Sequence, residues 1–221
     1  MYNRAMATQY EIRLCDSCGL RYPLVRGQPH GERCPICMGS TRVLLSRDLI
    51  LEPTHVASPM RHRAKSRHSV LLDNIRSGWN VGSVFRSADG FGFLHAYLCG
   101  ITPTPEVEAV AKTSLGAEDS VPWSHHKDAV KLVRGLKKEG LRIIALEEDT
   151  KATPLRKVGS KKGTGTAETV LIMGSEITGV DPGLLELCDE ILYIPMHGNK
   201  KSFNVAMAFS IAAHALTDLE D

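Results

Sequence analysis

The stretch "LYIPMHGNKKSFNVAMAFSIAAHAL", residues 192–216, opens as a short apolar strand and closes as a helix that is predicted to begin near Ser202. One face of that helix is apolar and consists of Val205, Phe209, Ala212 and Leu216. The loop between strand and helix, "PMHGNKK", carries Pro195, Gly198 and the adjacent Lys200 and Lys201. Two lysines at this junction indicate either an exposed turn or a place for an acidic or electron-rich group.

The same alternation of strand and helix extends back to Ser69. Apolar strands are predicted in "SVLLDNI", "HAYLCG", "LRIIALEE", "ETVLIMG" and "EILYIPM". Helices are predicted over 80–92, over 128–140 with Asp128 as N-cap and Gly140 as terminator, and briefly around 182–188. Strands that alternate with helices predict an α/β fold, in which a parallel sheet is covered on both faces.

In such sheets, ligands bind at the carboxyl ends of the strands. Three loops rich in polar residues and glycine follow predicted strands there: "DNIRSGWNVGSVFR", "MGSEITGVD" and "PMHGNKKSFN". A Gly-x-Gly-x-x-Gly pattern does not follow the first strand, which argues against a nucleotide-binding dehydrogenase. The sequence also contains no Walker pattern, which argues against the usual phosphate-cradling loop.

Four cysteines near the start of the chain form two Cys-x-x-Cys pairs, Cys15 with Cys18 and Cys34 with Cys37. Two such turns complete a tetrahedral thiolate site, so the spacing predicts a structural Zn²⁺ ion. Disulfides need a secretory context, and a thioredoxin-like pair would be a single motif. Gly19 and the nearby Gly39 supply turn freedom, and "YEIRL" and "TRVLL" read as short strands, so residues 1–50 resemble a zinc ribbon.

Charge is distributed unevenly along the chain. Residues 1–68 hold 11 Lys and Arg against 5 Asp and Glu, whereas residues 69–221 hold 16 against 20. The segment 51–68 contains two prolines and ends with four basic residues, Arg61, Arg63, Lys65 and Arg67, so it is interpreted as a basic linker. Those residues either contact nucleic acid phosphates or lie solvated. With neither a secretory h-region nor a membrane-length apolar run, a cytoplasmic protein without membrane contact is the expectation.

Three stretches in the body resemble the motifs of the SpoU (TrmH) family of SPOUT methyltransferases: "NVGSVFRSADGFG" at 80–92, "LIMGSEITGVD" at 171–181 and "IPMHGNKKSFNVAMA" at 194–208. "KTSLGAEDSVPW" at 112–123 also resembles a family stretch. The similarity covers residues 69–221 and leaves the zinc-ribbon module outside. It implies a parallel-sheet SPOUT fold with a C-terminal deep trefoil knot, a homodimer, S-adenosylmethionine bound in the knot loops, and methyl transfer to a ribose 2′-hydroxyl in tRNA or rRNA.

The resemblance also implies functional residues. For catalysis they are Asn80, Arg86, Glu176, Ser202 and Asn204. For cofactor binding they are Met173, Gly174, Ser175, Glu176, Gly179, Ile194, Met196, Gly198, Ser202, Phe203, Asn204 and Ala206. Core packing is the alternative for Ile194, Met196 and Phe203, nearly equal to cofactor contact for Ile194, and helix capping is the alternative for Ser202 and Asn204. Because arginine stays protonated, Arg86 is expected to grip the target phosphate and stabilise the developing alkoxide, reaching the cofactor across the dimer interface. The deprotonating role that is proposed for this arginine in the family stays open.

The chain departs from the family pattern at two positions. Lys201, preceded by Lys200, stands where a glutamate is common, and Phe203 stands where leucine is usual. The exchanged charge removes a carboxylate from this point, and the two lysines are interpreted as contacts for an RNA backbone. A non-catalytic RNA-binding protein that retains the fold is the alternative function. Retention of both Asn80 and Arg86 argues against it.

Overall fold

The computed structural model describes residues 8–25, 32–49, 66–156 and 168–217. The chain divides into two compact units, residues 1–56 and residues 57–221, which are described separately below. Of the predicted linker 51–68, residues 51–65 lie outside the described residues. The predicted boundaries at 50 and 69 therefore stay a prediction.

The N-terminal unit contains an antiparallel sheet with the strand order β2–β1–β3. Its strands are β1 Thr8–Cys15, β2 Arg21–Val25 and β3 Thr41–Leu49. The strands predicted at "YEIRL" and "TRVLL" correspond to β1 and β3, whereas β2 was not predicted. A bulge shifts the register between β1 and β3 beside Ile12 and Arg13. Both Cys-x-x-Cys turns lie at strand ends, since Cys15 ends β1 and Cys37 comes shortly before β3.

The second unit alternates strands and helices as the periodicity predicted. Its strands in the described residues are β4 His68–Asp73, β5 Ala96–Cys99, β6 Trp123–His126, β7 Arg142–Leu146, β8 Thr153–Pro154, β9 Thr169–Met173 and β10 Glu190–Tyr193. Its helices there are α1 Gly78–Gly90, α2 Glu108–Ser114, α3 Ala117–Ser120, α4 Ala129–Lys138, α5 Pro182–Leu185 and α6 Val205–Thr217.

Among the described residues, these seven strands form one sheet in the order β6–β5–β4–β9–β7–β10–β8, and every pairing is parallel. Strand β9 is buried along its whole length, because apolar clusters cover the sheet on both faces. One cluster includes Phe85 of α1 and Phe209 of α6, and the other includes Val133 of α4 and Leu184 of α5. The predicted α/β fold with helices on both faces is confirmed.

Several local predictions agree with the structure in detail. The Asp128 carboxylate accepts a hydrogen bond from the N–H of Lys131, and Gly140 has the left-handed φ of +88° that ends α4. The last helix begins at Val205 rather than near Ser202, because the Asn204 side chain is what caps it. The sequence did not predict α2, α3, β6 and β8, which are too short or too polar for their periodicity to be recognised.

Parallel pairing places the carboxyl ends of all seven strands at the same edge of the sheet. The loops after β4, β7, β9 and β10 therefore meet there, in the part of the chain that the structure describes. Among the described residues, no helix is long and apolar enough to cross a membrane.

Candidate active site

A cavity of about 510 Å³ lies at the carboxyl ends of β7, β9 and β10. Leu146, Met173 and Tyr193, the last residues of those strands, form its floor, and the loops that follow them form its walls. Both polar and apolar side chains line it. This is the edge of the sheet at which the sequence predicted ligand binding.

The Glu176 carboxylate connects the loop after β9 to the start of α1. It accepts hydrogen bonds from the N–H of Arg76 at 3.0 Å, from the N–H of Ser77 at 3.3 Å and from Asn80 Nδ2 at 2.9 Å. Partial burial raises the pKa of Glu176, but these donors outweigh burial and hold the pKa below its ordinary value. The side chain is therefore a carboxylate at neutral pH, placed where the positive end of the α1 dipole also favours it.

Asn80 extends this connection to the last helix. Its Oδ1 accepts a hydrogen bond from Asn204 Nδ2 at 3.0 Å, while Asn204 Oδ1 accepts from the N–H of Ala206 at 2.9 Å and caps α6. The series Glu176–Asn80–Asn204 thus links the loop after β9, the first turn of α1 and the residue before α6, which are distant in sequence. Each side-chain amide is oriented by its partners, since its oxygen faces a donor and its nitrogen faces an acceptor.

The loop after β9 is a tight hairpin that requires glycine. Ser175 and Gly179 exchange two backbone hydrogen bonds of 3.0 and 2.9 Å, and Gly179 has a left-handed φ of +71°. A Cβ on Gly174 would lie 2.2 Å from the backbone nitrogen of Val180, a distance that real Cβ atoms do not show. Both glycines are therefore needed to shape this wall of the cavity.

Comparison with known proteins agrees with this geometry, because the profile of the SpoU rRNA Methylase family matches residues 67–214. The chain belongs to this family. The match begins one residue before β4 and ends within α6, so it includes the whole described sheet of the second unit and every loop that lines the cavity. We call the second unit the SpoU domain.

Individual relatives cover the same domain. An uncharacterized tRNA/rRNA methyltransferase of Mycobacterium bovis is 31% identical over 148 residues, which are 66% of this chain and 44% of that protein. The tRNA (guanosine(18)-2′-O)-methyltransferase of Thermus thermophilus is 31% identical over 65% of this chain and 70% of its own length. The crystal structure of the A. aeolicus TrmH/SpoU tRNA modifying enzyme superposes with a TM-score of 0.62 at 25% identity, over 72% of this chain and 77% of that one. The chain spans less than half of the length of the mycobacterial relatives that it matches.

Most of the predicted cofactor residues of the SpoU domain lie at the cavity. Ten of the twelve line it, namely Met173, Gly174, Ser175, Glu176, Gly179, Ile194, Met196, Ser202, Phe203 and Asn204. Gly198 and Ala206 do not. An added Cβ on Gly198 would meet no atom within 4 Å, so its own backbone surroundings do not require glycine there, and Ala206 is buried in the first turn of α6.

Sequence reasoning missed the wall that follows β7. Glu147 lines the cavity, and its Oε2 accepts a hydrogen bond from the N–H of Val180 at 2.8 Å. Its Oε1 accepts from the N–H of Glu148 at 2.9 Å, so both oxygens have donors. The sequence could have indicated Glu147, because "LRIIALEE" was predicted to be a strand. The end of that strand lies at the same carboxyl edge of the sheet as the other three loops.

Arg86 is exposed on α1 and is not among the described residues that line the cavity of its own chain. Lys201 lines the cavity, whereas the neighbouring Lys200 is exposed outside it. Of the predicted basic linker residues, Arg67 is exposed at the start of the SpoU domain. The other three, Arg61, Arg63 and Lys65, lie outside the described residues.

The four cysteines of the N-terminal unit converge as their spacing predicted. Their sulfur atoms all lie within 4.8 Å of one another, with Cys15 Sγ 3.4 Å from Cys37 Sγ and Cys18 Sγ 3.6 Å from Cys34 Sγ. A tetrahedral site with Zn–S distances of about 2.3 Å needs sulfurs about 3.8 Å apart, so the cluster has the dimensions of such a site. The N–H of Cys18, 3.4 Å from Cys15 Sγ, lowers the pKa of Cys15 to about 6, whereas at Cys18 the lowering effect of the Leu20 N–H is outweighed by contact with the Cys37 and Cys15 thiols, which raises the pKa of Cys18 to about 12.

The two turns of this cluster are built alike. The N–H of Gly19 donates to the carbonyl of Cys15, and the N–H of Met38 donates to the carbonyl of Cys34. Gly19 has a φ of +73° and Met38 a φ of +59°, so the left-handed residue directly follows the second cysteine in both turns. Gly39, which the sequence suggested for this conformation, is not the residue that adopts it.

Proposed function

We propose that this protein is an S-adenosylmethionine-dependent methyltransferase that acts on a ribose 2′-hydroxyl of tRNA or rRNA. The observation that carries the proposal is the hydrogen-bonded series Glu176–Asn80–Asn204, which joins the three family motifs and includes two residues of the cavity lining, Glu176 and Asn204. Membership of the SpoU family and the name of the Thermus thermophilus relative give the reaction class. Polar side chains that are held in place by hydrogen bonds beside a cavity are typical of a binding site.

The cavity fits S-adenosylmethionine in size and chemistry. Small-molecule sites occupy about 300–1,000 Å³ and combine apolar walls with a few polar groups. Met173, Ile194 and Met196 supply apolar surface, and Gly174 leaves the backbone without a Cβ beside the hairpin. When bound, the cofactor supplies a methyl group on a sulfonium, which a ribose hydroxyl can attack.

The residues around the cavity orient the nucleophile and stabilise charge. Asn80, fixed between Glu176 and Asn204, is held for contact with the substrate or with Arg86, and Ser202 lines the cavity in the loop after β10. Arg86 grips the target phosphate and stabilises the negative charge that develops on the 2′-oxygen, because a guanidinium donates without losing its proton. The remaining predicted cofactor residues hold the cofactor through the two loops that follow β9 and β10.

A homodimer completes this arrangement, with Arg86 of one subunit serving the cavity of the other. The support is that Arg86 lies on an exposed part of α1, away from the cavity lining of its own chain. Exposed apolar side chains on the same two packed helices, Trp79 of α1 and Met207 and Ile211 of α6, provide a surface that association would bury.

The C-terminal part of the SpoU domain forms a deep trefoil knot in this proposal. The supporting feature is the strand order, because β10 is hydrogen-bonded between β7 and β8 although it follows both in the chain. The last loops therefore lie among earlier segments of the chain. Such a packing keeps the cofactor loops rigid.

In the N-terminal unit, Cys15, Cys18, Cys34 and Cys37 hold a structural Zn²⁺ ion. Four thiolates leave no open coordination position, so the ion stabilises the fold and takes no part in the transfer. The separations between the sulfur atoms support this assignment.

Basic residues around the domain contact the RNA backbone in this proposal. They are Arg61, Arg63, Lys65 and Arg67 of the linker and Lys200 and Lys201 of the loop after β10. Lysine and arginine supply most of the sequence-independent affinity for nucleic acid. A cytoplasmic location stays a prediction from the sequence.

The test combines cofactor binding with methyl transfer. We expect calorimetry to show binding of S-adenosylmethionine and the radiolabelled methyl group to appear in bulk tRNA or rRNA at a ribose 2′-oxygen. Arg86→Ala should lower the transfer rate about 10²–10³-fold, the effect of removing one donor to a developing oxyanion. Arg134→Ala, at an exposed arginine of α4, is the matched control and should transfer at the wild-type rate. RNA binding without any transfer would instead support the non-catalytic alternative.

A further inference from the structure

The central strand of the N-terminal unit, β1, buries its charged residues more deeply than its apolar ones. Glu11, Arg13 and Cys15 of β1 are buried, whereas Ile12 and Leu14 between them are only half-buried. An antiparallel sheet with one covered face normally turns its apolar residues inward and its charged residues outward. Here the apolar residues of β1 lie on the face that is less covered.

Hydrogen bonds and ion pairs of Arg13 occupy the more buried face of this sheet, which we call the inner face. Arg13 Nη1 donates to Glu11 Oε2 at 2.5 Å, and Arg13 Nε donates to Thr41 Oγ1 of β3 at 2.8 Å. A second nitrogen of Arg13 lies 3.6 Å from a Glu32 carboxylate oxygen, close to the second pair of cysteines. A buried guanidinium needs several acceptors, and these residues supply them. Among the described residues of this unit, the inner face is therefore occupied by internal contacts and by the thiols, which leaves the other face for a ligand.

Strand register shows what the other face carries. Tyr10, Ile12 and Leu14 run along its centre, since they alternate with the buried residues of β1. On β2, Arg21 is paired with Leu14, and on β3, Arg42 is paired with Leu14 and Arg47 with Tyr10. We call these six residues the outer face. All three arginines are exposed, so an apolar strip is flanked by cations on both sides.

The charge of the outer face is only partly compensated. Arg42 lies 3.2 Å from the Asp16 carboxylate, and both side chains are largely exposed. The carboxylates of Glu11 and Asp48 belong to the opposite face, because Glu11 is buried against Arg13 and Asp48 accepts a hydrogen bond from Gln9, the residue before Tyr10. Counting the described residues of this unit, the outer face therefore has an excess of positive charge.

Single-stranded nucleic acid fits this combination. Proteins bind it by stacking bases on aromatic or apolar side chains while cations follow the phosphates. A protein partner would have to supply matching carboxylates around a strip only three residues long, whereas a polynucleotide carries a phosphate at every residue. We propose that the outer face binds a single-stranded segment of the RNA substrate, with Tyr10 as the stacking side chain and the three arginines on the phosphates. The proposal rests on the proposed function, which supplies the RNA.

The test measures RNA affinity of the full-length, zinc-loaded protein by fluorescence anisotropy, with a fluorescein-labelled single-stranded RNA of mixed sequence as the probe. The triple variant Arg21→Gln, Arg42→Gln, Arg47→Gln should bind at least tenfold more weakly. Each lost phosphate contact lowers the slope of log K against log salt by about 0.7 for a single strand, so the slope should fall by about 2. The three arginines are exposed, so the unit should keep its zinc and its fold in this variant.

A matched control removes the same charge elsewhere. Lys131→Gln, Arg134→Gln, Lys138→Gln changes three exposed cations of α4 and should alter RNA affinity less than twofold. For the stacking side chain, Tyr10→Phe should retain affinity and Tyr10→Ser should lose it tenfold, with zinc content measured in both to establish that the unit is folded.

An unchanged RNA affinity and salt slope in the triple arginine variant would overturn the proposal. If the sedimentation coefficient of that variant is also altered, the outer face is a protein interface instead. Failure of the proposed function is a separate result. If wild-type protein binds RNA through these arginines but neither binds S-adenosylmethionine nor transfers methyl, the function is wrong and the outer face stands.

Discussion

The two units of this chain are held together by different forces. In the SpoU domain, strand β9 and its neighbours bury apolar side chains on both faces of the sheet, and the largest of these, including Phe85 and Phe209, are fully buried. In the N-terminal unit, the buried residues of the central strand are Glu11, Arg13 and Cys15, and Val43 and Leu45 of β3 are 46% and 40% exposed. The larger unit has an apolar core, whereas the smaller one has buried hydrogen bonds, an ion pair and a thiol cluster.

This difference follows from size. A short three-stranded sheet cannot bury enough apolar surface to offset the loss of chain entropy, and by our proposal the Zn²⁺ ion at the four cysteines supplies the missing free energy. The larger unit has enough apolar surface of its own. The difference also assigns the apolar residues of each unit distinct roles: stability in the SpoU domain and, by our proposal, ligand binding in the N-terminal unit.

The comparison predicts that metal removal unfolds one of the two units and not the other. Chelation, or Cys34→Ser, should unfold the N-terminal unit and leave the SpoU domain folded, because structural zinc sites contribute about 10–16 kcal/mol of apparent binding free energy. Hydrogen exchange should show lost protection in β1–β3 and unchanged protection in β4, β9 and β7. Cys188→Ser, outside the cluster and half-buried, is the control and should retain zinc. Loss of protection in both units would contradict the separation.

Truncation of a buried side chain in the SpoU domain should destabilise that domain and leave the N-terminal unit folded. Phe209 is fully buried, so Phe209→Ala should lower the free energy of unfolding of the SpoU domain by about 3–5 kcal/mol, through lost burial and a residual cavity. Zinc content should not change. Urea unfolding followed by far-UV circular dichroism measures the loss. Ile101→Ala, at a side chain that is 67% exposed, should cost less than about 0.5 kcal/mol.

At the active site, Glu176→Gln should weaken the connection between the loop after β9 and the start of α1 by about 1 kcal/mol, since a neutral amide is a poorer acceptor for its donors. The folded-state pKa of Glu176 is depressed, so its contribution is fully present above the unfolded pKa of about 4.3 and is lost as pH falls through the folded pKa.

Urea unfolding of wild type and Glu176→Gln between pH 6 and pH 3 measures this contribution. The two curves should differ at pH 6 and converge in the acid range. Glu186→Gln, at an exposed carboxylate, should parallel wild type throughout. A difference between wild type and Glu176→Gln that persists at pH 3 would show that shape, not charge, is what the substitution removed.

The smallest expected effect concerns the two cysteine turns. Met38 adopts a left-handed conformation that costs a residue with a Cβ about 1–2 kcal/mol, so Met38→Gly should stabilise the zinc-bound unit by less than about 1 kcal/mol after the entropy of glycine is subtracted. Gly19→Ala, at the equivalent position of the first turn, should destabilise it by about 1 kcal/mol. Competition with a chelator of known affinity measures both, and equal signs for the two variants would be inconsistent with equivalent turns.

Much of the fold was accessible from the sequence. Continuous apolar runs such as "TVLIM" are typical of a strand buried on both faces, and the Asp128 cap and Gly140 terminator delimit α4 chemically. The segment from 101 to 127 was not accessible. Its helices α2 and α3 are short, and α2 is fixed by the close approach of Gly82, where a Cβ would lie 2.4 Å from the carbonyl oxygen of Val110. Such a contact leaves no periodic signal.

The candidate site shows the same division. Motif residues of the loops after β9 and β10 reach the cavity as the resemblance implied, but Glu147 carries no motif and was missed. The roles of the two asparagines also required the structure. Sequence offered Asn204 as a cap or a site residue, and the structure shows that its oxygen caps α6 while its nitrogen donates to Asn80.

By itself, the sequence determined the α/β class, the pairing of four cysteines into one cluster, and loops that line the cavity, because hydrophobic period, Cys-x-x-Cys spacing and strand polarity are local properties. Only the tertiary structure decided which side of β1 is buried and how Glu176, Asn80 and Asn204 meet. The outer face left no signal in the sequence, because the polarity of Glu11 and Arg13 does not show that they are buried residues of β1. In the N-terminal unit, an internally satisfied ion pair occupies the inner face and leaves the apolar side chains outside.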